Sequence, residues 1–327
     1  MISLKGFDGI RDITSYLEKV PYDVTRHTLY SAEDLYSGYD PDDEESFSSC
    51  YDTLTYNHFI ATGKHGSEAK ESLSRALHDN GMNVAMNDFF KDHDHLRCIG
   101  IMGGHSMSRT DPMFRKVVFL CKKLTEEGFI MLSGGGPGAM EATHLGSWMA
   151  GRSDEETEDA VSMLSPAPSY KDKQWLKYAF KVMRKYPNLG KYHSLSIPTW
   201  LYGHEPSTPF ATHIAKFFEN SIREDSILTL AFGGIVYTPG SAGTIQEIFQ
   251  DAVQNHYLSF GFASPMIFMG TEYWTEEMPI YPLLTGLVER GKYVNLPLSL
   301  TDDPEEISST LHDFAEKVKE GEDSKKI

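Results

Sequence analysis

The chain has 327 residues and a formal net charge of -17 at pH 7, from 47 acidic and 30 basic side chains. This negative charge repels a phosphate backbone and disfavours a nucleic-acid partner, but a few backbone N–H groups and one arginine can still hold a single phosphate. No stretch approaches the roughly 18 consecutive apolar residues of a membrane-spanning helix, so no membrane partner is expected. Three cysteines without paired spacing predict reduced thiols and a cytoplasmic location.

Residues 1–95 differ in pattern from the rest of the chain. They contain an acidic, loop-like run at 40–46, and 67–77 begins with a serine and is rich in helix formers, which predicts a short helix. We therefore expect a mostly helical N-terminal extension over 1–95, followed by a Rossmann-like α/β domain over 96–327. No motif in the extension indicates its function.

From Arg97 onward, short apolar runs alternate with amphipathic segments, as in βαβ units. The apolar runs predict strands at 98–102, 129–132, 161–164, 195–201, 235–237 and 266–269. Helices are predicted after Asp111-Pro112, after two glycine-rich turns, and over 171–186, 210–222 and 302–319, with a loop over 151–159. The sum is an α/β fold with a doubly wound, mainly parallel sheet.

Two glycine-rich turns each lie between a predicted strand and a predicted helix. They span 133–140 (SGGGPGAM) and 238–247 (TPGSAGTIQE). Glycine permits a positive φ and close approach of a ligand, and the helix that follows offers unpaired N–H groups to an anion. The candidate binding residues are Gly134, Gly135, Gly136, Gly138 and Met140 in the first turn, and Gly240, Ser241, Gly243 and Thr244 in the second. The alternative is that these glycines only make tight turns.

The first strand of the sheet also ends in glycines, at Gly103 and Gly104, followed by His105 and Ser106. Gly103, Gly104 and Ser106 are further candidates for binding a ligand, as are His105 and the pair at 204–205. The sequence after this strand is not a nicotinamide fingerprint, and no Walker lysine follows either glycine-rich turn. These features predict no dinucleotide cofactor and no triphosphate-cleaving site.

Glu247, at the end of the second turn, is a further candidate for contact with a ligand. Thr244 and Glu247 are three residues apart, so both project from the first turn of the predicted helix toward whatever the glycine turn holds. The alternative is that Glu247 only complements the helix dipole.

Together, the sequences SGGGPGAMEA at 133–142 and PGSAGTIQE at 239–247 resemble the paired signature of the LONELY GUY (LOG) family. That family has a triple-glycine loop and a Pro-Gly-Gly-x-Gly-Thr-x-x-Glu motif, and its members release a free base and ribose 5-phosphate from nucleotides. The resemblance covers about 97–270. The chain departs from the family motif at Ser241, where the family has glycine.

The resemblance implies roles for particular residues. Gly240, Gly243 and Thr244 would hold the 5′-phosphate, and Glu247 would be the catalytic carboxylate. Arg223 is the nearest match to the arginine that the family carries on the helix before the second loop. In this chain Glu224 follows it in place of the usual lysine, and Arg223 could instead be a solvated cation at a helix end.

These features predict a phosphoribohydrolase whose substrate is a nucleoside monophosphate such as AMP, with no cofactor and no metal. The histidines and aspartates at 92–95 are interpreted as a solvated linker. The family resemblance implies a homodimer or a higher homo-oligomer. Two other functions stay open on the same fold: a non-catalytic nucleotide sensor or carrier, and a nucleoside-type glycosyltransferase.

Overall fold

Helices and parallel strands alternate through most of the chain in the computed structural model, which describes residues 10–65, 68–203 and 205–323. His204 therefore lies outside the described residues. The strands are Cys98–Met102 (β1), Ile130–Ser133 (β2), Ser194–Ser196 (β3), His213–Ile214 (β4), Gly234–Tyr237 (β5), Met266–Phe268 (β6) and Leu298–Leu300 (β7). The α-helices are Ile10–Leu17 (α1), Ala32–Leu35 (α2), Tyr51–Ala61 (α3), Ala69–Phe89 (α4), Pro112–Glu126 (α5), Ala139–Met149 (α6), Asp154–Leu164 (α7), Trp175–Lys185 (α8), Asn220–Leu230 (α9), Ala242–His256 (α10), Ile280–Glu289 (α11) and Pro304–Asp323 (α12).

The seven described strands form one sheet in the order β4-β3-β2-β1-β5-β6-β7, and every neighbouring pair is parallel. This confirms the predicted α/β class. From β1 the chain adds strands on one side as far as β4, and it then returns to place β5 on the other side of β1. The strand order thus reverses between β1 and β5, which is where open α/β sheets bind ligands at the carboxyl ends of their strands.

Helix α7 corrects two predictions, a strand at 161–164 and a loop over 151–159. The Ser153 hydroxyl accepts a hydrogen bond from the Glu156 N–H, and the Glu156 carboxylate accepts one from the Ser153 N–H. This capping box begins a helix at Asp154 that continues through Leu164. A four-residue apolar run cannot by itself distinguish a strand from the end of a helix, and the cap upstream decides the structure.

The helix predicted over 210–222 is also wrong. This stretch contains β4, and α9 begins only at Asn220. Ile214 pairs on one side with β3 and on the other with Tyr30 of the N-terminal extension, through backbone hydrogen bonds of 2.8 and 2.9 Å. The apolar residues at helical spacing are buried because the extension covers this edge of the sheet. The strand predicted over 195–201 is shorter in the structure and ends at Ser196.

The described part of the extension is mostly helical, as predicted, and it packs on the α/β sheet. Tyr22, Tyr30 and Met82 belong to the same hydrophobic core as the strands. Strand β7 and helix α11 were not predicted. Among the described residues, no helix is long and apolar enough to cross a membrane.

A buried ion pair joins the loop after β1 to α6. Arg109 Nε and Nη2 lie 2.9 and 2.5 Å from the two Glu141 oxygens, and both side chains are almost fully buried. Arg109 also donates to the carbonyls of Ala167 and Trp175. Removing one partner of such a pair leaves an uncompensated charge in the core.

We therefore expect Glu141→Ala to lower the free energy of unfolding by about 3 to 5 kcal/mol, measured by chemical denaturation. The control is Glu158→Ala, which removes an equivalent carboxylate from the exposed Arg115–Glu158 pair. The control should leave the unfolding midpoint nearly unchanged, because exposed pairs are screened by solvent. Equal losses in the free energy of unfolding for the two variants would show that the buried Arg109–Glu141 pair stabilises the fold no more than an exposed pair.

Candidate functional site

A cavity of about 410 Å³ opens at the carboxyl ends of β1 and β5, where the strand order reverses. Its walls come from the turns after β1, β2 and β5, from the segment after β3, and from the first turns of α9 and α10. Twelve of the residues predicted from the sequence line it: Gly103, Gly104, His105, Gly134, Gly136, Met140, Glu205, Arg223, Ser241, Gly243, Thr244 and Glu247. The fold thus brings both glycine turns and the two candidate catalytic side chains to one cavity.

Four predicted residues are not among those that line the cavity. Gly135 has φ +69° and its carbonyl accepts from the Thr208 N–H at 2.8 Å, so it shapes the turn. Gly138 has φ +70°, and a Cβ there would lie 2.3 Å from the Gly104 carbonyl oxygen. Gly240 packs under Thr244, and Ser106 is exposed beside the cavity. The three glycines therefore shape the turns that form the cavity walls, although they do not line the cavity themselves.

The turns after β1 and β5 touch each other through their backbones. Gly104 N–H donates to the Pro239 carbonyl at 2.9 Å, and a Cβ on Gly103 would lie only 2.0 Å from Thr238 Oγ1. The Tyr273 hydroxyl donates to the Gly240 carbonyl at 2.6 Å and holds the second turn from the other side. A larger residue at 103 would separate the turns and change the cavity.

Ser241 stands where the LONELY GUY motif has glycine. Its φ of -114° is negative, so this position does not need the left-handed conformation that favours glycine. Helix α10 begins at the next residue, and its first-turn residues Gly243 and Thr244 line the cavity with Ser241. The N-terminus of a 15-residue helix, with its unpaired N–H groups and partial positive charge, therefore faces the cavity.

Arg223 extends from the first turn of α9 into the cavity. Its Nη1 lies 3.9 Å from Glu247 Oε1, and its guanidinium carbon is 5.8 Å from the centre of the Tyr202 ring. A Cβ on Gly134 would come within 3.5 Å of the same Nη1, so the first glycine turn leaves room for the arginine. Nε is buried, and no described residue accepts a hydrogen bond from it. Arg223 is therefore not the solvated helix-end cation of the alternative interpretation.

Glu247 extends from α10 toward Arg223, and its side chain is only 16% exposed. Burial raises the pKa of this carboxyl to about 7, because the charged form loses its hydration. The Arg223 charge opposes this rise in the pKa, and the neighbouring Glu224 adds to it. Glu247 can therefore exchange a proton near neutral pH.

Asp251 lies one turn further along α10 and has a different environment. It is buried, its carboxylate accepts a 2.6 Å hydrogen bond from the Tyr237 hydroxyl, and it does not line the cavity. Burial raises the pKa of Asp251 to about 7 as well. Only Glu247 of these two carboxyls faces the space where a ligand would lie.

The segment after β3 forms a wall of the cavity, and most of its residues were not predicted from the sequence. Tyr202, Glu205 and Ser207 line the cavity there, and Glu205 Oε1 lies 3.7 Å from His105 Nε2 on the turn after β1. His105 and Glu205 were weak candidates, whereas Tyr202 and Ser207 were not predicted. These residues could have been predicted from their position, because they follow the carboxyl end of a strand that pairs with β2.

No protein-family model and no curated protein matches the chain. Among solved structures, it is similar to the molybdenum cofactor binding protein from the phototrophic bacterium Rippkaea orientalis, with 14% identity and a TM-score of 0.40 over 66% of this chain and 96% of that chain. It is also similar to TM1055, a structural genomics target, with 16% identity and a TM-score of 0.42 over 66% of this chain and 98% of that chain. Function must therefore be inferred from the cavity and the sequence motifs.

The raised pKa of Glu247 has a consequence for stability that can be measured without a substrate. Between the ordinary carboxyl pKa and about 7 the folded chain holds a proton that the unfolded chain has lost, so stability falls as the pH rises through this window. Glu247→Gln removes that fall. We expect the variant to be more stable than wild type by up to about 3 kcal/mol at pH 8 and equally stable near pH 4.5.

Chemical denaturation of both proteins at the two pH values checks this. The contribution of Asp251 cancels because both proteins retain it. A stability difference that is the same at pH 4.5 and pH 8 would show that Glu247 does not titrate near 7 in the folded state.

Proposed function

We propose that this chain hydrolyses the N-glycosidic bond of a nucleoside 5′-monophosphate and releases the free base and ribose 5-phosphate. The observation that carries the proposal is the pairing of Glu247 and Arg223 in a cavity that also receives the N-terminus of α10. A titratable carboxyl, a cation and an anion-binding helix end are the groups that this reaction uses.

The phosphate would bind at the start of α10. Backbone N–H groups around Gly243 and the hydroxyls of Ser241 and Thr244 provide donors, and the helix dipole favours a negative charge there. A carboxylate close to a phosphate is repelled by it, and the Arg223 guanidinium 3.9 Å from Glu247 offsets that repulsion. Holding the phosphate fixes the position of C1′ and lowers the entropic cost of the reaction.

In the chemical step, the bond between C1′ and the base nitrogen breaks, and the base leaves with the electron pair and takes up a proton from solvent. Positive charge develops on the sugar, and the Glu247 carboxylate stabilises it. Water adds to C1′ and gives its proton to the same carboxylate, which then releases that proton to solvent. A carboxyl with a pKa near 7 is suited to accept this proton at neutral pH.

The family resemblance supports the same reaction. The two motifs appear in the family's order, the departure at Ser241 is accommodated by the backbone, and Arg223 occupies the helix where the family carries its arginine. The reaction needs no cofactor and no metal. The resemblance leaves the preferred base open, so AMP, GMP, CMP and a cytokinin nucleotide form the substrate panel.

We expect wild-type protein to release free base and ribose 5-phosphate from at least one nucleotide of the panel, detected by chromatography. Its kcat/KM should rise with pH through about 7, because the ionised form of Glu247 is the active one. Glu247→Gln should lower kcat/KM by at least about 100-fold, because it removes the carboxylate that stabilises the transition state.

Asp251→Asn is the matched control, since it replaces a second buried carboxyl on the same helix that does not face the cavity. Its kcat/KM should stay close to that of wild type. Tight nucleotide binding without turnover would instead identify a sensor or carrier. Incorporation of a labelled free base into the nucleotide would identify a glycosyltransferase.

A further inference from the structure

A carboxylate of the N-terminal extension caps the helix that carries Arg223. Asp79 lies on α4 and is buried. Its Oδ1 accepts a hydrogen bond from the Phe218 N–H at 3.0 Å, and its Oδ2 accepts one from the Glu219 N–H at 2.9 Å. These two N–H groups immediately precede α9, which begins at Asn220. Phe218 is buried, so without Asp79 its N–H would lose its partner inside the protein.

The two hydrogen bonds fix the position of the first turn of α9. Glu219 is the N-cap of this helix, and its side chain accepts from the Ser221 N–H at 3.4 Å. Arg223 follows Glu219 by four residues, or about one turn. Charge-assisted hydrogen bonds to a buried carboxylate are among the stronger restraints on a backbone. A displacement of the helix start would move the guanidinium away from Glu247.

Asp79 is itself held by residues of the extension. His78 Nδ1 lies 3.0 Å from Asp79 Oδ1, and His78 Nε2 lies 2.9 Å from the Tyr30 hydroxyl. A neutral imidazole can donate to the carboxylate through one nitrogen and accept from the hydroxyl through the other. Tyr30 also pairs through its backbone with Ile214 of β4. The extension is thus joined to 214–219 at both ends of that segment.

We infer that Asp79 is a positioning residue for Arg223, so that the N-terminal extension sets the geometry of the nucleotide site. Its catalytic consequence rests on the proposed function, but the structural effect does not. The distance between Arg223 and Glu247 is the quantity that Asp79 controls.

The pKa of Glu247 depends on the distance between its carboxyl and the Arg223 guanidinium, so a titration of Glu247 detects a change in that distance. The titratable groups near Glu247 are Arg223 and Glu224 on α9, Tyr237 on β5 and, one turn along its own helix, Asp251. Of these, only Arg223 favours the ionised carboxylate. Withdrawal of Arg223 therefore raises the midpoint of the Glu247 titration, whereas a general loss of stability does not.

The test is Asp79→Asn in the full chain, with Met82→Ala as the control. Met82 is fully buried three residues further along α4, so its truncation destabilises the same helix without touching the α9 cap. The Glu247 carboxyl is titrated by carbon-13 NMR, and hydrogen exchange is followed for the amides at the start of α9.

We expect Asp79→Asn to raise the Glu247 midpoint by at least about half a pH unit, in the same direction as Arg223→Gln. It should also accelerate amide exchange over 218–223 by at least about tenfold. Met82→Ala should leave the midpoint unchanged. Should Asp79→Asn fail to fold, Tyr30→Phe removes the hydroxyl that supports His78 and should shift the midpoint in the same direction by less.

If Asp79→Asn or its substitute gives the same Glu247 midpoint as Met82→Ala, the positioning role is overturned. These two measurements need no substrate, so a wild-type protein that releases no base would overturn the proposed function alone. If wild type is active, kcat should fall at least about fivefold in Asp79→Asn and stay near the wild-type value in Met82→Ala. Equal kcat values in the two variants would also overturn the inference.

Discussion

The structure depends on one constraint, the adjacency of β1 and β5 in a sheet whose strand order reverses between them. The connections that leave these strands run in opposite directions, so neither covers the carboxyl end of the other. The turn backbones must then meet directly, and they do so through the hydrogen bond from Gly104 to Pro239. Side chains larger than hydrogen at Gly103 would separate them. The cavity and the exposed N-terminus of α10 both follow from this contact.

The Glu247 carboxyl lies in surroundings that disfavour its charged form, and the fold keeps it there. Burial makes the charged form of Glu247 costly, and Arg223 at 3.9 Å offsets only part of the cost. Asp251, on the same helix, is satisfied by the Tyr237 hydroxyl, whereas Glu247 faces open space. A group that is held in an unfavourable state by its surroundings, beside a helix end that attracts anions, is more typical of a functional site than of a packed core.

Local signals in the sequence predicted much of this arrangement. The glycine turns, most helix starts and the apolar runs before them are encoded within a few residues, so five of the seven described strands could be predicted. The roles of Glu247 and Arg223 came from the family resemblance. The errors have two causes: a distant segment decides the structure in one place, and a local helix cap was overlooked in the other. At 210–222 the apolar residues have helical spacing, but pairing of Ile214 with Tyr30 makes the segment extended. At 161–164 the deciding signal was the capping box that starts at Ser153.

The roles of the extension were hidden from the sequence for the same reason, because its important contacts join residues more than a hundred positions apart. Asp79 caps the helix of Arg223, and Asp52 Oδ1 accepts from Lys216 Nζ at 2.6 Å. Lys216 also donates to Ser207 Oγ, so it links this cavity-lining residue to Asp52 on α3. The segment with Ser207 and the helix with Arg223, which both line the cavity, are therefore held by buried aspartates of the extension. The contacts that hold the site therefore extend across the change in sequence pattern near residue 95.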